Sequence, residues 1–247
     1  MILKVEKLSK FYEKRGYFSK EKKIVLKNIS FDVKKGEIFS IIGQSGVGKS
    51  TIGKIILGIE KESSGNIKFL SKELSKREKR DIQMVFQDPY SSLNPAMKIK
   101  DILAEPLKAN GIIERNEIES LVKNTLHEVG LSEEYENKYP NELSGGQRQR
   151  VVIGCAIILK PKLIVCDEPV ASLDLAVQKQ ILDLIKKINR ENGITFIFIS
   201  HDLGVVYNIS DRVMVLYKGE IQEITEVEEF FSKPKSEYGK YLLEGIR

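Results

Sequence analysis

The stretch Gly43-Gln44-Ser45-Gly46-Val47-Gly48-Lys49-Ser50-Thr51 constrains the fold of this chain more than any other. It has the spacing Gly-x-x-x-x-Gly-Lys-Ser, a phosphate-binding pattern that works only where a strand turns into a helix. The apolar run Ile38-Phe39-Ser40-Ile41-Ile42 predicts a buried parallel strand before it, and Ile52, Ile55 and Ile56 give helical spacing over Lys49–Leu57 after it. Strand, turn and helix in that order commit the chain to a layered α/β core.

The residue types fit the chemistry of a bound triphosphate. Backbone N–H groups must wrap the phosphates, and Gly43, Gly46 and Gly48 keep side chains out of the way. Gln44, Ser45 and Val47 complete the wrapping backbone. The helix N-terminus adds partial positive charge, Lys49 supplies a mobile cation for the β- and γ-phosphates, and Ser50 offers a hydroxyl to Mg²⁺. Thr51 can extend the hydrogen bonding to the α-phosphate.

A chain of 247 residues with 41% hydrophobic content is long enough for a real core. No apolar run approaches the ~18 residues of a membrane span, and Met1-Ile2-Leu3-Lys4-Val5-Glu6 reads as a strand start rather than a signal peptide, so a cytoplasmic protein is expected. Cys155 and Cys166 sit in apolar stretches without a metal-binding spacing and read as buried reduced thiols. A net charge of +5 with both signs interspersed describes a solvated surface and does not by itself point to nucleic acid.

Along the chain, Ile2–Leu8 and Val25–Val33 alternate as strands of an antiparallel layer. The charged segment from Glu13 to Lys23, with Gly16-Tyr17-Phe18 inside it, reads as a long exposed hairpin or loop. Tyr12 and Phe11 compete as aromatics able to stack on a base. Asn66–Leu70 and Ile82–Phe86 read as strands, Lys72–Arg80 as surface, and Asp88–Pro95 as a loop leading to helices over Ile99–Lys108 and Asn116–Val129. Leu143–Leu159 predicts an apolar helix, Leu163–Glu168 a buried strand, Leu175–Arg190 a helix and Thr195–Ser200 another buried strand. Val213–Tyr217 and Glu220–Ile224 flank Lys218-Gly219 as a hairpin.

Strand ends carry the remaining chemistry. Asp167 can hold Mg²⁺ and Glu168 can serve as general base for an attacking water; two carboxylates at the end of an apolar strand need a cation or a partner. His201 can donate a hydrogen bond to a γ-phosphate or its water, and Gln87 can ligate Mg²⁺ through its carbonyl or sense that phosphate. His127, on a helix face, reads as incidental.

Leu143-Ser144-Gly145-Gly146-Gln147, following the Gly43–Thr51 loop in this order, resembles the signature of the ATP-binding cassette family along nearly the whole chain. That resemblance implies an α/β fold: a P-loop NTPase (RecA-like) core with an antiparallel β subdomain and a helical subdomain inserted at about residues 88–158, within one nucleotide-binding domain over 1–247. It implies ATP and Mg²⁺ as cofactors. Residue by residue, it makes Tyr12 the adenine-stacking aromatic, Gln87 the Q-loop, Asp167 and Glu168 the Walker B aspartate and catalytic glutamate, Ser172-Leu173-Asp174 the D-loop and His201 the switch histidine. Ser144, Gly145, Gly146 and Gln147 are then expected to close over ATP held by a second, identical or homologous cassette, in a head-to-tail dimer.

Gln83–Pro95, Ser172–Gln178 and Lys233–Leu243 are similar to the subgroup that powers oligopeptide, dipeptide and nickel importers, with a lean toward the second ATPase of the metal-chelate systems. The implied function is ATP hydrolysis coupled to uptake through integral membrane permease subunits, with an extracytoplasmic substrate-binding protein in the system and the chain at the cytoplasmic face of the membrane. No nucleic-acid partner is expected. The alternative is a non-transport cassette ATPase acting on ribosomes or nucleic acid. Two departures stand out: Val170 where threonine is usual, and Ser236-Glu237 where the C-terminal element has His-Pro.

Overall fold

The structure, a computed structural model, describes residues 1–15, 20–73, 80–112 and 114–245. It forms two compact units, Met1–Lys79 with Thr195–Arg247, and Arg80–Ile194.

In the first unit, β1 (Leu3–Arg15) pairs antiparallel with β2 (Lys20–Val33) and with β4 (Ser64–Phe69), and the short β5 (Lys72–Glu73) extends the layer beyond β4. Leu26, Ile29, Phe31 and Val33 are all buried although Leu26 and Ile29 are three apart. A bulge absorbs the extra residue: Leu8 faces Ile29 and Lys10 faces Leu26, with Asn28 at φ 52° between them. Pairing continues outward to Arg15 and Lys20, so the charged segment is a hairpin; its tip, with Gly16-Tyr17-Phe18, lies outside the described residues.

The second layer of this unit centres on β3 (Ile38–Ile42), every residue of it buried. β3 runs parallel to both β8 (Thr195–Ile199) and β9 (Arg212–Tyr217), and β10 (Glu220–Glu226) returns antiparallel to β9. Lys218 and Gly219, at φ 48° and 78°, make that two-residue turn as the sequence predicts. Because β3 and β8 are parallel neighbours, both release their following loops at the same edge. α1 (Lys49–Ile56) follows β3 and α7 (Leu203–Ile209) follows β8. Ile42, Leu203, Val206, Val213, Val215, Phe230 and Tyr238 close one core cluster, the last two from α8 (Val227–Ser232) and α9 (Glu237–Glu244).

In the second unit, β6 (Ile82–Val85) and β7 (Leu163–Asp167) pair in parallel, Val85 opposite Cys166. Around them lie α3 (Ile99–Ala109), α4 (Arg115–Glu128), α5 (Gly145–Ile157) and α6 (Leu175–Asn192), close to their expected spans. The loop expected over Asp88–Pro95 instead contains a single helical turn, α2 (Pro89–Ser92), in which Ser92 Oγ donates to the Asp88 carbonyl at 2.6 Å. Cys166 is buried and Cys155 half-buried, and burial of the thiols pushes Cys155 up to about 12 and Cys166 higher still, so both stay protonated. Among the described residues no helix is long and apolar enough to cross a membrane.

Glu37 and Arg212 hold the start of β3. The Glu37 carboxylate is only 7% exposed; Arg212 Nη1 donates to it at 3.1 Å, the Lys34 N–H at 2.5 Å, and the guanidinium lies 5.3 Å from the Phe39 ring centroid. Burial pushes the Glu37 pKa up, and the Lys34 N–H and the Arg212 charge restrain the rise. Arg212→Met therefore strands a buried carboxylate and is expected to cost about 3 kcal/mol at neutral pH. With Arg212 gone the folded-state pKa rises further, the folded form binds its proton more readily than the unfolded chain, and stability recovers as pH falls through that raised value. Urea unfolding at about pH 7.5 and about pH 5 should show the deficit shrinking in acid; a pH-independent deficit would mean Glu37 is not the stranded charge.

Candidate functional site

The first unit carries the phosphate loop, Tyr12 and His201. Gly43 leaves β3 at φ 150°, and a Cβ there would lie 2.2 Å from the Leu216 carbonyl oxygen. Gly48, the N-cap of α1 at φ 113°, would put a Cβ 2.7 Å from Leu26 Cδ2. These two glycines are thus fixed by the protein's own packing, whereas a Cβ on Gly46 (φ 79°) meets nothing within 4 Å and points into open space. Of the three glycines expected to leave room for the phosphates, Gly46 borders open space, while Gly43 and Gly48 also let neighbouring strands approach.

No side chain caps the start of α1, so its first N–H groups remain directed out of the helix at the loop. Lys49 is 6% exposed, and its ammonium donates to the carbonyls of Gly43 at 2.7 Å and Gln44 at 3.1 Å. A buried cation held by carbonyl dipoles needs an anion or strong acceptors, and this one folds back across the concave side of the loop. Ser50 and Thr51 occupy the first turn of α1 behind it.

Of the two competing aromatics, Tyr12 is the one that reaches the loop. Its hydroxyl hydrogen-bonds Glu60 and also Thr51, and Lys10 lies over its ring at 4.9 Å. Burial and the Glu60 carboxylate together push its pKa up. Phe11 instead carries Lys22 at 4.5 Å from its ring centroid. Glu60 gave no signal in the sequence, because only the fold brings a position 48 residues away against Tyr12. His201 is exposed, immediately beyond β8; the Ser200 N–H bonds the Ile41 carbonyl, which sets this strand end beside that of β3.

The second unit carries Gln87, the signature and the carboxylates. β6 and β7 are parallel and in register, so Gln87 and the Asp167-Glu168 pair emerge from adjacent strands at one edge. Asp167 is 9% exposed. Glu168 has φ 52°, a left-handed backbone unusual for a residue with a side chain, and its carbonyl accepts from Ala171 N–H in the turn that follows. Val170 is 3% exposed, an interior position that an aliphatic side chain suits.

Ser144 caps α5 through a capping box: its Oγ accepts from the Gln147 N–H at 3.3 Å, and Gln147 Oε1 accepts from the Ser144 N–H at 2.9 Å. Gln147 Nε2 also donates to the Tyr135 hydroxyl at 2.9 Å. A Cβ on Gly146 would come within 2.5 Å of Val177 in α6, and one on Gly145 within 3.4 Å of Leu173. Gly145 and Gly146 therefore let the start of α5 lie against α6 while their N–H groups stay at its tip.

The residues present fit a nucleotide and a hard divalent cation. Oxygen atoms, the ligand type Mg²⁺ takes, are carried by Ser50 in the first unit and by Gln87 and Asp167 in the second. The N-terminus of α1 and Lys49 supply the positive field that phosphates require.

The sequence profile described as "ABC transporter" matches residues 26–171. The oligopeptide transport ATP-binding protein OppF of Streptococcus pyogenes is 42% identical over 236 residues, covering 92% of this chain and 77% of that protein. OppF of Haemophilus influenzae is 41% identical over 243 residues, covering 95% and 73%. Among solved structures, cbiO1 of Clostridium perfringens, part of the ABC transporter complex cbiONQ, aligns with a TM-score of 0.81 at 33% identity, covering 94% of this chain and 91% of that one. An ATP-binding cassette solved as a dimer in a post-hydrolysis state with ADP and Pi aligns at 0.78 and 31%, covering 92% and 99%.

The different surroundings of Gly43 and Gly46 separate stability from binding. Gly43→Ala is expected to lose more than about 3 kcal/mol of stability, since β9 must shift to clear the Leu216 carbonyl. Gly46→Ala should cost only about 1 kcal/mol for its left-handed backbone, while its methyl group intrudes where phosphate would lie. Thermal melts with and without ATP check both; a Gly46→Ala protein that ATP still stabilises like wild type contradicts the assignment of the open side of the loop.

Proposed function

The chain belongs to the ABC transporter family as an ATP-binding, ATP-hydrolysing subunit, and from that premise we propose that it drives peptide uptake through a membrane permease. The main support is the repeated placement of charged and amide side chains where parallel strands end: the Lys49 loop after β3, His201 after β8, Gln87 after β6 and Asp167-Glu168 after β7. The relatives' names favour peptides over the metal chelates toward which the loop sequence leans.

Each residue then has a role its surroundings allow. The N–H groups of Gly43 to Thr51 and the Lys49 ammonium bind the triphosphate, with Lys49 exchanging carbonyl oxygens for phosphate oxygens of like strength. Tyr12 takes the adenine on the ring face opposite Lys10. Ser50, Asp167 and Gln87 hold Mg²⁺, which supplies charge neutralisation on the phosphates when bound. Glu168 accepts the proton of the attacking water, and His201 donates to the γ-phosphate side of that water.

Ser144 to Gln147 act on ATP held by a second cassette, homologous or identical. The capping box uses the Ser144 oxygen as acceptor and leaves its hydrogen able to donate, next to the outward N–H groups of Gly145 and Gly146. Leu175, 82% exposed beside the Asp174 cap of α6, suits burial in such a dimer. The assembly sits at the cytoplasmic face of the membrane with integral permease subunits and an extracytoplasmic binding protein.

Glu168→Gln is expected to keep ATP affinity, lose about a thousandfold in turnover, and accumulate an ATP-dependent dimer visible by light scattering. Turnover near the wild-type rate would remove Glu168 from the role of base. Purification from native membranes should bring integral membrane subunits along with the chain, and recovery with ribosomes instead would favour the non-transport alternative.

A further inference from the structure

A cleft of about 320 Å³ opens between α3, α4 and the 3-10 turn Glu133–Asn137, all in the second unit. Its volume is in the range of sites that take small molecules. Ala104 and Val122, 4% and 3% exposed, and the half-buried Ile118 give it an apolar floor. Around that floor stand three cations, Lys100, Lys108 and Arg115, and three carboxylates, Asp101, Glu119 and Glu136. A rim balanced in this way favours neither a plain anion nor a plain cation. None of these residues belongs to the nucleotide site described above.

Most of those charges are already engaged within the protein. Arg115 Nε donates to Glu119 Oε1 at 2.9 Å, one turn along α4. Lys100 Nζ donates to Asn137 Oδ1 at 2.9 Å, and Asn137 Nδ2 donates to Glu136 Oε1 at 3.2 Å, so this amide joins a second cation to a second carboxylate. Two charges are left. Among the described residues, the carboxylate of Asp101 and the ammonium of Lys108 meet no hydrogen-bonding or ionic partner.

Asp101 lies in the first turn of α3 and Lys108 in its last. Seven residues of helix bring them onto one face, within about 20° of each other, and separate them by about 10.5 Å along the axis. The macrodipole of α3 suits an acid at its start and a base at its end, but it does not require both to border one cleft. A free carboxylate therefore stands at one end of the cleft and a free ammonium at the other, with apolar surface between them. An extended chain advances about 3.4 Å per residue, so about three residues span the gap.

We propose that this cleft binds a short peptide of about three residues with both termini free, its ammonium on Asp101, its carboxylate on Lys108 and its backbone over Ala104, Ile118 and Val122. This rests on the reading that the chain serves peptide uptake, which makes such peptides the product on the cytoplasmic side. A single amino acid is too short to reach both charges, and a peptide with blocked ends offers them nothing. The cleft borders the supports of the signature helix: Arg150 of α5 donates to the Val129 carbonyl after α4 at 2.7 Å, and a Cβ on Gly154 would lie 3.0 Å from Leu103 of α3. Delivered peptide is thus placed against the hairpin that carries α5.

Trialanine is the probe. Chemical-shift titration of the nitrogen-15-labelled 247-residue chain is expected to move the backbone amides of α3 and α4, with a Kd on the order of 0.3 mM. Asp101→Asn and Lys108→Gln should each weaken that binding about tenfold, since each removes one charge-assisted contact. Lys108 is exposed and its variant keeps the fold, so its result decides if Asp101→Asn loosens the start of α3. N-acetyl-trialanine amide, which carries neither charge, should leave the spectrum unchanged. No shift with trialanine at about ten times that Kd, equal shifts with the blocked peptide, or wild-type affinity in Lys108→Gln overturns the proposal. Purification from native membranes tests the uptake reading by itself: a permease recovered with a chain that does not bind trialanine keeps that reading and removes the cleft site, and trialanine binding by a chain recovered with ribosomes keeps the site and removes the uptake role.

Discussion

The carbonyl of Leu216 occupies the space where a side chain on residue 43 would begin. That close approach sets the turn out of β3, and the turn sets where Lys49 and the N–H groups of α1 point. β9 can come so near only because it is paired in parallel with β3, Phe39 opposite Arg212 and Ile42 opposite Val215. The charge pair of Glu37 and Arg212 fastens one end of the same two strands and the Gly43 contact fits the other. Phosphate chemistry in this unit is thus a consequence of strand pairing, with the loop as its visible end.

Lys49 and Asp167 are both buried where the chemistry is expected, in different surroundings. Lys49 is surrounded by carbonyl oxygens of its own loop, acceptors that a phosphate can replace without a net loss of interactions. Asp167 lies at the end of a wholly buried strand, where an ionised carboxylate is costly unless a cation or donors meet it. The left-handed backbone of Glu168 adds local strain next to it, of the kind that persists only where surrounding structure holds it.

The parts of this arrangement that were legible in the sequence are those with a local cause. β3, β7 and β8 are each five residues and wholly buried, so each shows as a mainly apolar run, interrupted by Ser40 in β3 and bounded by Asp167 in β7 and Thr195 in β8. α5 begins at Ser144 because Ser144 and Gln147 form a capping box, which is a spacing that can be read directly. α7 and α8, of seven and six residues, complete too few turns for a periodic signal, and α9, no shorter than α1, lacks the phosphate-loop pattern that announces α1. The short turn α2 was hidden by Pro89 and Ser91-Ser92, residues that favour loops and helix starts alike. Among site residues, the loop, the signature and the carboxylates declared themselves by spacing. The choice of Tyr12 over Phe11 did not, since it depends on which strand face meets Thr51.

The same distinction explains why the C-terminal helix is hard to value from sequence. Tyr238 reads as an ordinary core aromatic, and most of its surface is just that: it packs with Ile42, Val215 and Phe230 and stacks on Tyr217. Only its oxygen distinguishes it, because phenylalanine would fill the same volume without burying a polar atom. A buried hydroxyl without a partner among the described residues costs stability.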